Sequence, residues 1–246
     1  GVGRNIAHNM RLLGLNVELL TALGGDSRAA QVEESCKTLG IGLSRALRVP
    51  DGRTSTYVFV GGSDGDMAVA VADMEICGRL TPDYFASQLA FLNGAAAVVL
   101  DTNLPRESLA YLAEHCTAPL FVDPVSTAKA EKLSGLLGHV HTLKPNRIEA
   151  ELLTGVKITD GKSLRAAAGA LLLQGVQRVF LSLGEGGVLA AQRGETQIVP
   201  ICKADAVNAT GAGDAMMAAL VWSYLTGRSL AESAAAGTAA AALAVE

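Results

Sequence analysis

From Pro82 onward the chain alternates strand and helix, with crossovers too long for hairpins, which narrows the fold to a parallel sheet wrapped by helices. Apolar periodicity predicts helices over 82–93, 105–114, 147–153 and 163–174, and strands over 97–101, 119–123, 140–143 and 178–183. A short antiparallel meander is predicted over 187–199, then two apolar helices over 213–226 and 230–244. Upstream, a helix over 5–13 stops at Gly14 and a buried strand follows over 17–23. An amphipathic helix over 27–39 would turn Ala30, Val32, Cys36 and Leu39 inward. The stretch 54–72 breaks the pattern: strands at 55–60 and 67–71 flank a turn cluster at 61–66, with no helix between them. That predicts a small β-hairpin projecting from the main sheet as a lid. The expected fold class is therefore α/β, a mostly parallel sheet between two helical layers, with that hairpin added.

Composition agrees with this and excludes several partners. Half of the 246 residues are apolar, 4% are aromatic and 27 are glycine, the balance typical of helix-covered parallel sheets. The length suits one large domain, and no repeat, linker or second domain is visible. The net charge is −4 with no basic run, so no nucleic-acid polymer is expected as a partner. Cys36, Cys77, Cys116 and Cys202 show neither zinc spacing nor a disulfide framework, so a reduced cytoplasmic compartment is expected. The Ala-rich stretch 234–245 is too short to cross a bilayer and reads as a buried helix, so no membrane partner is expected. No signal peptide is visible, but residue 1 is not methionine, which leaves a targeting segment open. The histidines, His8, His115, His139 and His141, have no ligand or triad spacing.

The chemistry concentrates in Asn208-Ala209-Thr210-Gly211-Ala212-Gly213-Asp214, which runs straight into an apolar helix. Two glycines allow the backbone N–H groups to converge, and the helix adds the positive end of its dipole. Such a turn suits a phosphate, and Asp214 beside it could take the proton of an attacking hydroxyl. Read alone, the same residues also describe an ordinary helix start with a helpful acid. Lys144-Pro145-Asn146-Arg147-Ile148-Glu149 follows a strand, with Asn146 and Glu149 three apart at a helix start. An amide oxygen and a carboxylate on one side suit Mg²⁺; a capping pair is the alternative. Gly1-Val2-Gly3-Arg4-Asn5-Ile6-Ala7 is no dinucleotide fingerprint, because Ile6 stands where the third glycine belongs. Asn5 there is a helix cap or a polar contact. Asp101, Asn103, Asp123 and Ser126 sit past strand ends, where open α/β sheets bind ligands or simply cap helices.

The strings 208–218 and 1–7 resemble the two signatures of the PfkB (ribokinase-like) carbohydrate kinases, and the resemblance spans nearly the whole chain. It implies a ribokinase-like three-layer α/β/α fold and phosphorylation of a small-molecule alcohol from ATP with Mg²⁺. By that resemblance Asp214 is the general base, and the amides of Gly211, Ala212 and Gly213 stabilise the transferring phosphoryl group. Gly3, Arg4, Asn5 and Asn103 would contact substrate. Lys144, Ser182, Gly184, Gly187 and Thr210 would hold ATP, and Asn146 and Glu149 the metal. The first-turn Gly3-Arg4-Asn5, His141 to Glu151 and Ala215-Met216-Met217-Ala218 resemble the pseudouridine kinase branch of that family. The implied product there is pseudouridine 5′-phosphate. A kinase for ribose, fructose or adenosine, or a catalytically silent nucleoside-binding relative, are the alternatives; retention of Asp214, Asn146 and Glu149 argues against the silent one. Three departures matter. The chain begins inside the first signature, and the family's first strand and last adenine-covering segment are not in view. A single kinase domain over 1–246, shortened at both ends, is therefore expected. Asn208-Ala209 lacks the aspartate of a monovalent-cation site, so potassium activation is not expected. A homodimer through the lid completes these expectations.

Overall fold

Alternate residues of a strand point to opposite faces, so a strand buried on both sides must supply two different cores. The computed structural model, which describes residues 1–61, 67–202 and 210–246, is built on this rule. The elements run α1 (Val2–Leu12), β1 (Ala22–Gly24), α2 (Ser27–Leu39), β2 (Leu47–Val49), β3 (Thr56–Gly61), β4 (Met67–Asp73) and α3 (Pro82–Asn93). Then come β5 (Val98–Asp101), α4 (Arg106–His115), β6 (Leu120–Asp123), α5 (Thr127–Ala130), β7 (Thr142–Leu143), α6 (Arg147–Thr154) and α7 (Gly161–Leu173). The chain closes with β8 (Arg178–Ser182), β9 (Val188–Gln192), β10 (Glu195–Val199), α8 (Ala212–Leu225) and α9 (Leu230–Leu243).

Among the described residues the central sheet has six strands in the order β10-β9-β8-β7-β6-β5, parallel from β5 to β8 and antiparallel at β9 and β10. One face carries Val98, Leu100, Val122, Leu143, Leu181 and Leu189, packed with α3, α4, α6 and α7. The intervening residues Phe121, Phe180, Val188 and Ala190 pack against α1, α8 and α9. Helix α8 is apolar on every side because it lies between this face and its neighbours α1 and α9, with Ala215 through Val221 all buried. The three-layer α/β fold expected from the alternation is thus found.

The predicted elements after Pro82 recur within a few residues. Two expectations upstream need correction. The strand expected over 17–23 shortens to Ala22–Gly24, paired with the equally short β2, plus one bridge between Glu18 and Gly42. Backbone bonds still link the two segments, from the Leu19 N–H to the Gly42 carbonyl, the Gly42 N–H to the Val17 carbonyl and the Leu47 N–H to the Thr21 carbonyl, and the Glu18 carboxylate accepts from Ser44 Oγ and the Arg45 N–H beside them. In α2, Ala30 is exposed and Ala29 is buried. Asp26 caps the Ala29 N–H at 2.9 Å, which sets the helix phase so that Ala29 and Cys36, seven apart, face inward. The hairpin is present as antiparallel β3 and β4, and its turn at 62–66 lies outside the described residues. Val58 and its register partner Val71 are exposed on one face of the hairpin and Tyr57 on the other. No described helix is long and apolar enough to cross a membrane.

Leu171 of α7 is fully buried in the larger core, away from the sheet's carboxyl edge. Leu171→Ala should cost about 2–5 kcal/mol, as for other buried leucine truncations. Urea unfolding would show a lower midpoint with an unchanged slope.

Candidate active site

The parallel strands end in a row. Asp101 closes β5, Asp123 closes β6, Lys144 follows β7 and Ser182 closes β8. Asp101 and Asp123 are register partners, and a bridge between Asn146 and Ser182 continues the β7–β8 pair. Each of these four stands one residue past a side chain that faces the α3/α4/α6/α7 core. Period two therefore turns Asp101, Asp123 and Lys144 toward α1 and α8, while the Ser182 hydroxyl stays at the Pro145 carbonyl.

Two of them pair. Lys144 Nζ lies 3.2 Å from Asp123 Oδ2, both residues buried. Asp123 is itself fixed: its Oδ1 accepts the Val125 N–H at 2.9 Å. Val125 holds φ +63°, a region β-branched residues avoid, and the Ser126 N–H closes the three-residue turn onto the Pro124 carbonyl at 2.6 Å. Thr102 Oγ1 donates to the same carbonyl from the β5 side. The strained turn persists because its surroundings over-determine it.

Helix α8 meets this row with its N-terminal turn. Gly211 caps it at φ +94°, which a side-chain-bearing residue would rarely adopt. A Cβ on Gly213 would lie 3.2 Å from Lys144 Nζ, so the ammonium sits against the helix start. Asp214 is in that first turn, and its Oδ2 accepts from Asn5 Nδ2 at 2.8 Å. Burial raises the Asp214 carboxyl above its ordinary value, and the charge of Asp123 adds to this. The Asn5 hydrogen bond and Lys144 oppose the rise.

The substrate-contact candidates divide. The Gly3 N–H donates to Asp101 Oδ2 at 3.0 Å, and Asp101 Oδ1 accepts the Asn103 N–H at 2.9 Å. Burial pushes the Asp101 carboxyl up, against hydrogen bonds from the Asn103 backbone and side chain and from Gly3. Asn103 Oδ1 accepts from Lys129 Nζ at 2.5 Å. Arg4 instead turns its guanidinium to Ser35 Oγ on α2. Gly3, Arg4, Asp101 and Asn103, with Ser55 and Cys77 from the base of the hairpin, form the polar end of a cavity that otherwise runs between the mostly apolar segments 17–23 and 95–100.

On the other side, Asn146 and Glu149 form a capping box on α6: Asn146 Oδ1 accepts the Glu149 N–H at 2.9 Å, and Glu149 Oε2 the Asn146 N–H at 2.8 Å. Glu149 is buried, which raises its carboxyl, opposed by the cap and by Lys144. The capping alternative is realised, yet the second Glu149 oxygen is outside the cap, and hard oxygen donors of this kind suit Mg²⁺. A second cavity, about 460 Å³, is lined by Asn146, Arg147, Asp160, Ser182 and Gly184. Gly187 is required by the chain itself, because at φ +86° a Cβ would collide with the Val199 carbonyl oxygen. Thr210 is exposed just before the cap, while Asn208 and Ala209 lie outside the described residues.

The Lys144–Asp123 pairing was open to sequence reasoning, since both residues end neighbouring strands and both precede proline. Lys129 gave no such signal; it reaches Asn103 only because α5 folds back under the β5–α4 loop.

A helix start beside an oriented carboxylate, at the carboxyl edge of a doubly covered sheet, is the arrangement a small-molecule kinase requires. The model of the pfkB family carbohydrate kinases matches residues 1–246, and the chain belongs to that family. It is a phosphotransferase with an alcohol group as acceptor. It is 38% identical over 235 residues to a pseudouridine kinase of Escherichia coli (strain K12), covering 95% of this chain and 75% of that one. An uncharacterized sugar kinase of the same strain is 37% identical over 247 residues, covering 99% and 68%. The solved structure of a carbohydrate kinase from Agrobacterium tumefaciens, 30% identical, superposes with a TM-score of 0.84 over 98% of this chain and 78% of that one.

Removing the Asn5 amide removes a bond to the ionised form of Asp214. In Asn5→Ala the Asp214 carboxyl should therefore titrate at higher pH than in the wild type, read by carboxyl ¹³C NMR. A downward shift would contradict the electrostatics described.

Proposed function

We propose that this protein phosphorylates the 5′-hydroxyl of pseudouridine from ATP, and that Asp214 is its general base. The observation that carries the reading is the Asn5–Asp214 hydrogen bond, which joins residues 209 apart at the α8 helix start, beside Lys144. Asn5 leaves the carboxylate one fixed orientation, and burial brings its proton affinity closer to that of a working base. The hydroxyl oxygen bonds to the transferred phosphorus as the β–γ bridging bond breaks, and the hydroxyl proton goes to Asp214, then to water. The backbone N–H groups of Gly211, Ala212 and Gly213 and the Lys144 ammonium stabilise the negative charge of the moving group. Asp123 keeps Lys144 at that point. Asn146 and Glu149 would hold Mg²⁺, through the oxygen atoms the cap leaves available, and Ser182, Gly184, Gly187 and Thr210 would contact the nucleotide. A bound Mg²⁺–ATP supplies the phosphoryl group and screens its charge.

Gly3, Arg4, Asn5 and Asn103 are proposed to face the substrate, with the hairpin as its cover. Pseudouridine as substrate is supported by the pseudouridine kinase at 38% identity. The sugar kinase at 37% keeps a second reading in play, another sugar or nucleoside as acceptor. The exposed Tyr57, Val58 and Val71 support a homodimer formed through the hairpin, on a single kinase domain.

Asp214→Asn should lower kcat by roughly 10²–10⁴, the usual contribution of a general base, while calorimetric ATP affinity is retained. Near-wild-type turnover would remove Asp214 from the mechanism. In a substrate panel at saturating ATP, pseudouridine should give the highest kcat/KM among pseudouridine, uridine, ribose, fructose and adenosine. A winning ribose or fructose would favour the second reading.

A further inference from the structure

Asn103 is held at its amide oxygen and at its backbone N–H. Lys129 Nζ, 26 residues away in sequence, donates to its Oδ1 at 2.5 Å. An ammonium has three donors and no acceptor, so it can meet only the oxygen of the amide. The backbone N–H of Asn103 donates to Asp101 Oδ1 at 2.9 Å, which anchors the residue itself. A flipped amide would set NH₂ against the ammonium, donor against donor. The orientation is therefore fixed by Lys129, and Asn103 sits at the polar end of the first cavity. Its oxygen is committed to Lys129. What it can offer a bound molecule is the amide N–H, a donor.

We propose that Asn103 determines specificity by donating a hydrogen bond to a ring carbonyl oxygen of the substrate, and that Lys129 is the positioning residue that fixes the amide for this task. The inference rests on the reading of the site as a nucleoside kinase and deepens it. It assigns the cavity to bases that present an oxo group where cytosine- or adenine-type bases present an amino group. An amino group there meets the Asn103 N–H donor to donor, and both lose their partners on desolvation. A second consequence concerns pseudouridine and uridine, which differ by a ring N–H. Asn103 so held has no acceptor to give, and Arg4 is donor-only, so neither can receive that N–H. Discrimination between those two nucleosides falls to another group.

The test measures binding by calorimetry without ATP, using ribose, pseudouridine and two oxo/amino pairs, uridine with cytidine and inosine with adenosine. The wild type, Lys129→Met, Lys129→Arg and Asn103→Asp are compared. We expect the wild type to favour the oxo member of each pair by about tenfold or more. Lys129→Met should bring that ratio to within about twofold while ribose affinity stays within about twofold, because the freed amide can then turn. Lys129→Arg should keep the preference, since a guanidinium is also donor-only. Asn103→Asp, near-isosteric but without the N–H, should lose it. Equal binding of oxo and amino bases by the wild type overturns the proposal. So does a ratio unchanged in Lys129→Met and Asn103→Asp, or an equal loss of ribose and nucleosides in both, which would make the clamp structural only. An oxo preference without pseudouridine turnover would sink the substrate assignment and leave this inference standing. Turnover of pseudouridine without an oxo preference would do the reverse.

Discussion

The buried Lys144–Asp123 ion pair is the contact on which the site depends. Two charges leave water at the meeting point of β6, β7 and the start of α8, and neither could remain there alone. Removing one partner of such a pair typically costs about 3–5 kcal/mol, because the other is stranded. A pair of apolar residues would be easier to bury, so stability alone does not account for its presence. It does place a positive charge against the start of α8, and it places a negative one where it raises the carboxyls of Asp214 and Glu149. The strained Val125 turn is the visible cost of keeping Asp123 in place.

Helix α1 ties the two halves of the site together. Its first turns offer the Gly3 N–H to Asp101 and the Asn5 amide to Asp214. A short stretch near the beginning of the chain thus touches both the cavity wall and the proposed base. Both carboxyls titrate above their ordinary values, mainly from burial. A carboxyl raised in the folded state binds protons more tightly there than in the unfolded chain. Its contribution to stability is thus present at low pH and is lost as pH rises through the folded-state value. Ionised carboxylates in this site work against folding, and the hydrogen bonds from Gly3, Asn103 and Asn5 offset part of that.

Much of this was legible in the chain. The strand–helix alternation after Pro82 gave the layers, because period and length are local properties. The Gly211–Asp214 turn and the Asn146–Glu149 spacing were legible for the same reason, since each lies within one helix start. Ala29 against Ala30 was not, because the phase of α2 follows from which N–H Asp26 caps. For Asn146 and Glu149 the sequence left cap and metal site open; the fold makes the cap and still leaves a buried carboxylate beside Lys144.

The sequence by itself determined which residues could carry the chemistry and which face of each strand they would occupy, because alternation on a strand and spacing on a helix need no partner. Only the tertiary structure decided which of them meet. Asn5 reaches Asp214 across 209 positions, Asp123 takes Lys144, and Lys129 turns Asn103. Arg4 faces Ser35 on α2. Each of these choices depends on strand order and register, which set distances between segments and leave no trace in the residues of any one of them.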